Sequence, residues 1–138
     1  MIVDDNYLSA EGIEKNIDWE TLNAEIIHVC YNGTSAIEAM KKEPADLIIS
    51  DIEMPDLDGI SMSRQALEIN PMVKIILISA YDKFEYARRA LLLGALDYIE
   101  KPLDYAYLIQ KVKNAFALME KEQKNLQLLK QSRPLLTE

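Results

Sequence analysis

Residues 47–59 read Leu-Ile-Ile-Ser-Asp-Ile-Glu-Met-Pro-Asp-Leu-Asp-Gly. The opening Leu47-Ile48-Ile49 is continuously apolar, and so is Ile75-Ile76-Leu77-Ile78 further on. Strands that are apolar without alternation are covered on both faces, which places them at the centre of a parallel sheet with helices on either side. Working outward, β-rich runs are expected at Met1 to Val3, Glu25 to Val29, Asp46 to Ser50, Val73 to Ser79 and Asp97 to Ile99. Helical patterns near Tyr7 to Asn16, Thr34 to Lys42, Ile60 to Glu68 and Lys83 to Leu93 alternate with them, punctuated by Asn32-Gly33, Pro44, Gly59, Pro71 and Gly94. Such alternation predicts an α/β fold of βαβ units. With right-handed crossovers, the commonest five-strand solution is the flavodoxin-like doubly wound parallel sheet of order 2-1-3-4-5, with helices on both faces. Its ligands bind beyond the carboxyl ends of the first and third strands, so chemistry is sought there.

The chain has 138 residues, 49% of them apolar, enough for one core but not two. One domain over residues 1–118 is expected, followed by a helical linker over 119–138. The linker is the end of a long last helix expected from about Tyr105 to Gln131, stopping before Pro134. Its stripe of Leu108, Val112, Phe116, Met119, Leu126 and Leu129 gives way to a charged second half, short of a convincing coiled coil. A net charge of -8, from 15 basic and 23 acidic residues, argues against a surface that neutralises nucleic-acid phosphates. No signal peptide or membrane-spanning run is evident, and the chain reads as cytoplasmic. Cys30 is the only cysteine and His28 the only histidine, which excludes an intrachain disulfide or a cysteine zinc site and leaves both residues structural roles.

Asp4 and Asp5 follow the first strand and Asp51 follows the third, so the predicted topology gathers three carboxylates at the switch point. Crowded carboxylates repel, and a hard divalent cation is their natural neutraliser. Magnesium, or manganese in its place, takes oxygen ligands from one or two carboxylates, waters and phosphate oxygens. A carboxylate held beside such an ion can attack phosphorus, because phosphoryl transfer depends mainly on position and electrostatics. Lys101, just past the fifth strand, supplies a cation for a phosphoryl group, and Ser79, ending the fourth, a hydroxyl. Asp56 and Asp58 fit turn and N-cap roles better than metal ligation.

Taken in order, these segments resemble the receiver domain of two-component response regulators. The matching pieces are Ile2-Val3-Asp4-Asp5, then Leu47 to Pro55 with Gly59, then Ile78-Ser79-Ala80, then Gly94-Ala95, and finally Asp97-Tyr98-Ile99-Glu100-Lys101-Pro102. The resemblance implies Asp51 as phosphoacceptor. It also implies magnesium held by Asp4, Asp5 and Asp51 with the backbone carbonyl of Glu53, Asp5 being the more direct of the acidic pair. Lys101 and Ser79 would contact the phosphoryl group, Tyr98 would turn inward as Ser79 moves, and Pro102 would follow a cis peptide. Two departures stand out. The first strand is short, and Glu53 and Tyr81 are bulky at positions that govern attack by water, which implies a phosphorylated state lasting minutes or longer.

Ile17-Asp18-Trp19, Tyr31-Asn32-Gly33 and Ser79 to Ala87 resemble the receivers of AraC-type transcriptional regulators of Gram-positive bacteria. That resemblance implies a sensor histidine kinase as donor, homodimerisation through the fourth helix, fifth strand and fifth helix, and DNA contact only through an output domain absent from this sequence. It implies a self-phosphorylating switch and not an enzyme with turnover. A stand-alone phosphorelay receiver is the alternative. A magnesium-dependent phosphohydrolase is more remote, since its nucleophile belongs in an Asp-x-Asp motif after the first strand.

Overall fold

In the computed structural model, which describes residues 1–80 and 84–136, five strands form one parallel sheet. They are β1 (Ile2–Val3), β2 (Val29–Cys30), β3 (Leu47–Asp51), β4 (Lys74–Ser79) and β5 (Asp97–Glu100), in the order β2-β1-β3-β4-β5. The helices are α1 (Tyr7–Asn16), α2 (Gly33–Lys42), α3 (Gly59–Ile69), α4 (Phe84–Leu93) and α5 (Tyr105–Leu136).

The side-chain period of two divides each central strand between two cores. Ile48, Ile75 and Leu77 join the core that includes residues of α2, α3 and α4, whereas Ile49, Ile76 and Ile78 join the core that includes residues of α1 and α5. Because both faces are covered, the alternation that marks a half-exposed strand never develops, which is why these runs read as unbroken apolar sequence.

Helix starts follow local chemistry. Asn6 accepts from the amides of Leu8 and Ser9, Asn32 from that of Ser35, and Asp58 from that of Ser61, each filling an N-cap. Gly94, with φ of +96°, ends α4 in the left-handed region open to glycine.

Two expectations are corrected. The second strand was expected over Glu25 to Val29, but only Val29–Cys30 pairs, against Ile2 and Val3. β1 is two residues long, so beyond the bond from the Ile2 amide to the His28 carbonyl at 3.0 Å the earlier residues of the run, Glu25 to Ile27, pair with no strand. The last helix does not stop at Gln131 but continues to Leu136 through Pro134. Proline has no N–H to offer the Lys130 carbonyl, and this close to the helix end its place costs the helix little of its remaining ladder. The run Leu91-Leu92-Leu93 contributes Leu93 to packing, and both Leu91 and Leu92 face solvent. Cys30 is a buried free thiol, and His28 Nε2 hydrogen-bonds the Glu43 carbonyl at 2.9 Å, so both have structural roles.

Candidate functional site

Parallel strands deliver their carboxyl ends to one edge, and three of the expected residues arrive there. Asp51 is the last residue of β3, and Asp4 and Asp5 follow β1 directly. One carboxylate oxygen from each lies within 4.8 Å of the others. Asp4 is 2% and Asp51 8% exposed, while Asp5 stands at the solvent edge. The first pair therefore carries the burial penalty and the third leaves a path inward.

Lys101 follows β5, and its Nζ lies 3.5 Å from Asp51 Oδ2 and 3.7 Å from Asp4 Oδ2. The Lys101–Pro102 peptide is cis, and the Lys101 amide donates to the Ser79 carbonyl at 2.7 Å, tying the lysine loop to the end of β4. One ammonium faces two buried carboxylates, so the charges do not balance. Burial pushes the Asp51 carboxyl up to about 6 from an ordinary 3.8; Lys101 opposes the rise, and Asp4 adds to it. Asp4 is likewise raised by burial, against the pull of the Asn6 amide, which donates to its Oδ1 at 2.9 Å, and of Lys101. Three oxygen donors on one small volume, short of positive charge and open through Asp5, fit a hard divalent cation.

The loops around the crevice are braced. Asp56 accepts from the Thr34 amide at 3.1 Å, the Thr34 hydroxyl at 2.6 Å and the Gly33 amide at 3.3 Å, joining the loop after β3 to the start of α2. These bonds, the Thr34 hydroxyl foremost, hold its carboxyl down at about 2. Asp58 caps α3, so neither aspartate enters the carboxylate cluster. Gly59 lies so close to β3 that a Cβ there would collide with the Asp51 carbonyl oxygen and the Ile52 backbone. Its amide donates to the Ile52 carbonyl at 2.8 Å, which fixes the turn leaving Asp51.

The remaining expected residues sit further out. Ser79 is fully buried at the end of β4, the strand beside Asp51. Tyr98 is half-buried on β5, beside Leu77 and against the core of α2, α3 and α4, with β4 between it and β3. Glu53 is half-buried in the loop after β3. Tyr81 lies outside the described residues, as does the start of the fourth helical pattern at Lys83. Asn6 and the Asp56–Thr34 brace were not singled out from sequence. Asn6 had a signal, an N-cap residue just before a helical pattern, whereas the brace joins residues 22 apart and had none.

A doubly wound sheet with an acidic, lysine-flanked crevice at its switch point has a ligand site where open α/β folds place theirs. The chain belongs to the response regulator receiver domain family, whose model matches residues 1–113. It is 28% identical over 122 residues to the uncharacterized transcriptional regulatory protein YesN of Bacillus subtilis (strain 168), covering 88% of this chain and 33% of that protein. The chain thus spans a third of that relative's length. Among solved structures it resembles the REC domain of AraT, a response regulator from Geobacillus stearothermophilus, at 34% identity and a TM-score of 0.83, over 88% of this chain and 95% of that one. A two component transcriptional regulator AraC from Clostridium phytofermentans ISDg aligns at 31% identity and a TM-score of 0.79, over 90% and 95% of the two chains. Among the described residues no helix is long and apolar enough to cross a membrane.

Proposed function

We propose that this receiver domain is a magnesium-dependent switch in which Asp51 accepts a phosphoryl group from the phosphohistidine of a sensor histidine kinase. The observation that carries the reading is the convergence of Asp4, Asp5 and Asp51 oxygens within 4.8 Å, with Lys101 at 3.5 and 3.7 Å from two of them. Asp4, Asp5, Asp51 and the backbone carbonyl of Glu53 would hold Mg2+ or Mn2+. Bound there, the ion would neutralise the carboxylates and the phosphoryl oxygens.

An Asp51 carboxylate oxygen attacks phosphorus as the phosphorus–nitrogen bond to the donor imidazole, protonated on its other nitrogen, breaks, giving an acyl phosphate and a neutral imidazole. Lys101 shifts its ammonium from the bare carboxylates to the new phosphoryl oxygens. Ser79 donates its hydroxyl to the same group, and Tyr98 follows into the space the serine leaves, so phosphoryl charge biases a two-state surface. The chain is not a turnover enzyme in this reading, since the acceptor is its own side chain.

The surface of α4, β5 and α5 is the proposed readout, used for homodimerisation. Leu91 and Leu92 are exposed on α4, and Lys111 bridges Asp97 at 3.1 Å across β5 and α5. Residues past about 118 act as a linker, consistent with the buried stripe of Leu108, Val112 and Ala115 giving way to exposed side chains over 123–131. A DNA-binding output domain would lie beyond it, and the system would control transcription in the cytoplasm.

The test is intact mass after incubation with acetyl phosphate and magnesium. A gain of about 80 Da, one phosphoryl group on a carboxylate, is expected in the parent chain and absent from Asp51→Ala and from a sample in excess EDTA. An unchanged mass in a folded parent sinks the proposal.

A further inference from the structure

The loop of residues 52–58 leaves the end of β3 carrying Glu53, and its two flanks are held unequally. On one flank Glu53, Met54 and Pro55 line a groove of about 430 Å3 whose walls also include Tyr86 and Arg89 of α4. On the other, Asp56 reaches the first turn of α2. Its Oδ1 accepts from the Gly33 amide at 3.3 Å, and its Oδ2 from the Thr34 amide at 3.1 Å and the Thr34 hydroxyl at 2.6 Å. With Asn32 taking the Ser35 amide at 2.8 Å, the three leading amides of α2 are filled, two of them by the loop. A carboxylate there also meets the positive end of the helix dipole.

We propose that Asp56 and Thr34 are positioning residues for the metal crevice, a clamp that fixes the loop to α2 and thereby sets the backbone carbonyl of Glu53. The inference rests on the reading of that crevice as a magnesium site. Neither residue belongs to the carboxylate cluster, so both act through the loop.

The need for a clamp follows from the kind of ligand. Magnesium demands near-ideal octahedral geometry. Carboxylates such as Asp5 can turn about their own side-chain torsions to meet it, whereas a backbone carbonyl moves only with its loop. Buried Ile52 and Met54 root the start of this loop, and Gly59, pressed on β3, roots its end. Between them Pro55 and Asp56 are exposed, and the Asp56 bonds hold that stretch. The mount is firm, because Ala36, Ile37 and Met40 bury α2 in the core. Gly33 lets the two parts close up: a Cβ there would collide with the Leu57 carbonyl oxygen.

The experiment compares Asp56→Ala, Thr34→Val and Thr34→Ser with the parent in the full chain. Without metal, amide exchange over residues 53–57 is expected to quicken roughly tenfold or more in Asp56→Ala. In calorimetric titration with MgCl2, the Kd should rise about tenfold in Asp56→Ala, the low end of what outer-shell partners supply. Thr34→Val keeps the amide bonds and loses the hydroxyl, so a rise of about threefold is expected, the worth of one hydrogen bond. Thr34→Ser restores that hydroxyl and should match the parent. At saturating Mg2+, uptake from acetyl phosphate should return to within about twofold of the parent rate, since Asp51 and Lys101 are untouched. Thr34→Val carries the same test should Asp56→Ala fail to fold. An unmoved Kd in the folded variants, whatever the loss in Tm, overturns the clamp and leaves Asp56 a purely structural cap. Unchanged exchange over 53–57 overturns it as well. A parent that binds no Mg2+ removes the magnesium reading and the clamp with it, whereas a parent that binds beside variants that bind equally well removes the clamp alone.

Discussion

The two ends of the sheet each bury charge, and they bury it differently. At the carboxyl end Asp4 and Asp51 are raised by burial, while at the amino end the Met1 ammonium is lowered by it. Desolvation pushes both towards neutrality, so a perturbed group is no sign of function by itself. What separates them is convergence. Asp4, Asp5 and Asp51 come from two strands and aim oxygens at one small volume, with Lys101 brought from a third strand beside them. The Met1 ammonium donates to the Leu47 backbone carbonyl, with Cys30 and Asp46 acting on it more weakly than burial does.

The largest expected effect strikes at that convergence. Asp51→Ala should abolish phosphoryl incorporation, and Lys101→Ala should slow it by about 10²-fold or more with the fold intact, since an electrostatic partner in such a site is worth several kcal/mol. Rates from acetyl phosphate, read by mass, check both. Uptake by Lys101→Ala at the parent rate would reduce the lysine to a structural counter-ion and place the two ends of the sheet on the same footing.

Next in size is Gly59→Ala, where the new methyl meets the Asp51 carbonyl and the Ile52 backbone, neither of which can move without shifting β3. A loss of about 3 kcal/mol is expected in urea unfolding, at the upper end of overpacking effects. Gly94→Ala is the control: nothing lies within 4 Å of a Cβ there, and its cost of about 1 kcal/mol comes only from the positive φ.

How much of this the sequence disclosed follows from how far each feature reaches along the chain. Leu47 to Asp51 and Ile75 to Ser79 are legible because burial on both faces is written into consecutive residues. Asp4, Asp5, Asp51 and Lys101 are legible because each lies at or next to a strand end and the topology does the gathering. β2 was misplaced because pairing depends on a partner strand, and Ile26 and Ile27 look the same in sequence whether or not one is present. Gly59 was readable as turn punctuation, but its contact with the Asp51 carbonyl needs three dimensions. The different burial of adjacent Asp4 and Asp5 needs them too.

A third test adds the ion. Millimolar Mg2+ should stabilise the chain by roughly 2 kcal/mol at pH 7.5, the gain from a ligand present at tens of times its Kd, and much less at pH 5, where Asp51 is largely protonated. Asp51→Asn should rise in Tm without metal, because it removes a poorly compensated buried charge, and should respond weakly to Mg2+. A magnesium response of equal size in parent and Asp51→Asn would detach the ion from this crevice.

The smallest effect uses the contrast between the two ends most directly, because their charges give opposite slopes with pH. Asp51 is raised from 3.8 to about 6, so the folded chain holds more protons than the unfolded one across that window, and stability falls as pH rises from about 4 to 6. Met1 is lowered from 8.0 to about 6, so the unfolded chain holds more protons there, and stability recovers between about 6 and 8. Metal-free chain should therefore show a shallow stability minimum near pH 6, about 1–2 kcal/mol deep once partial solvent screening is allowed for. Acetylating the amino terminus should flatten only the limb above pH 6, and Asp51→Asn only the limb below it. Magnesium adds a gain that grows across the lower limb, because it binds the ionised carboxylates. If one modification flattened both limbs, the two ends would be coupled through the short β1 that joins Met1 to Asp4, and the independence on which the contrast rests would fail.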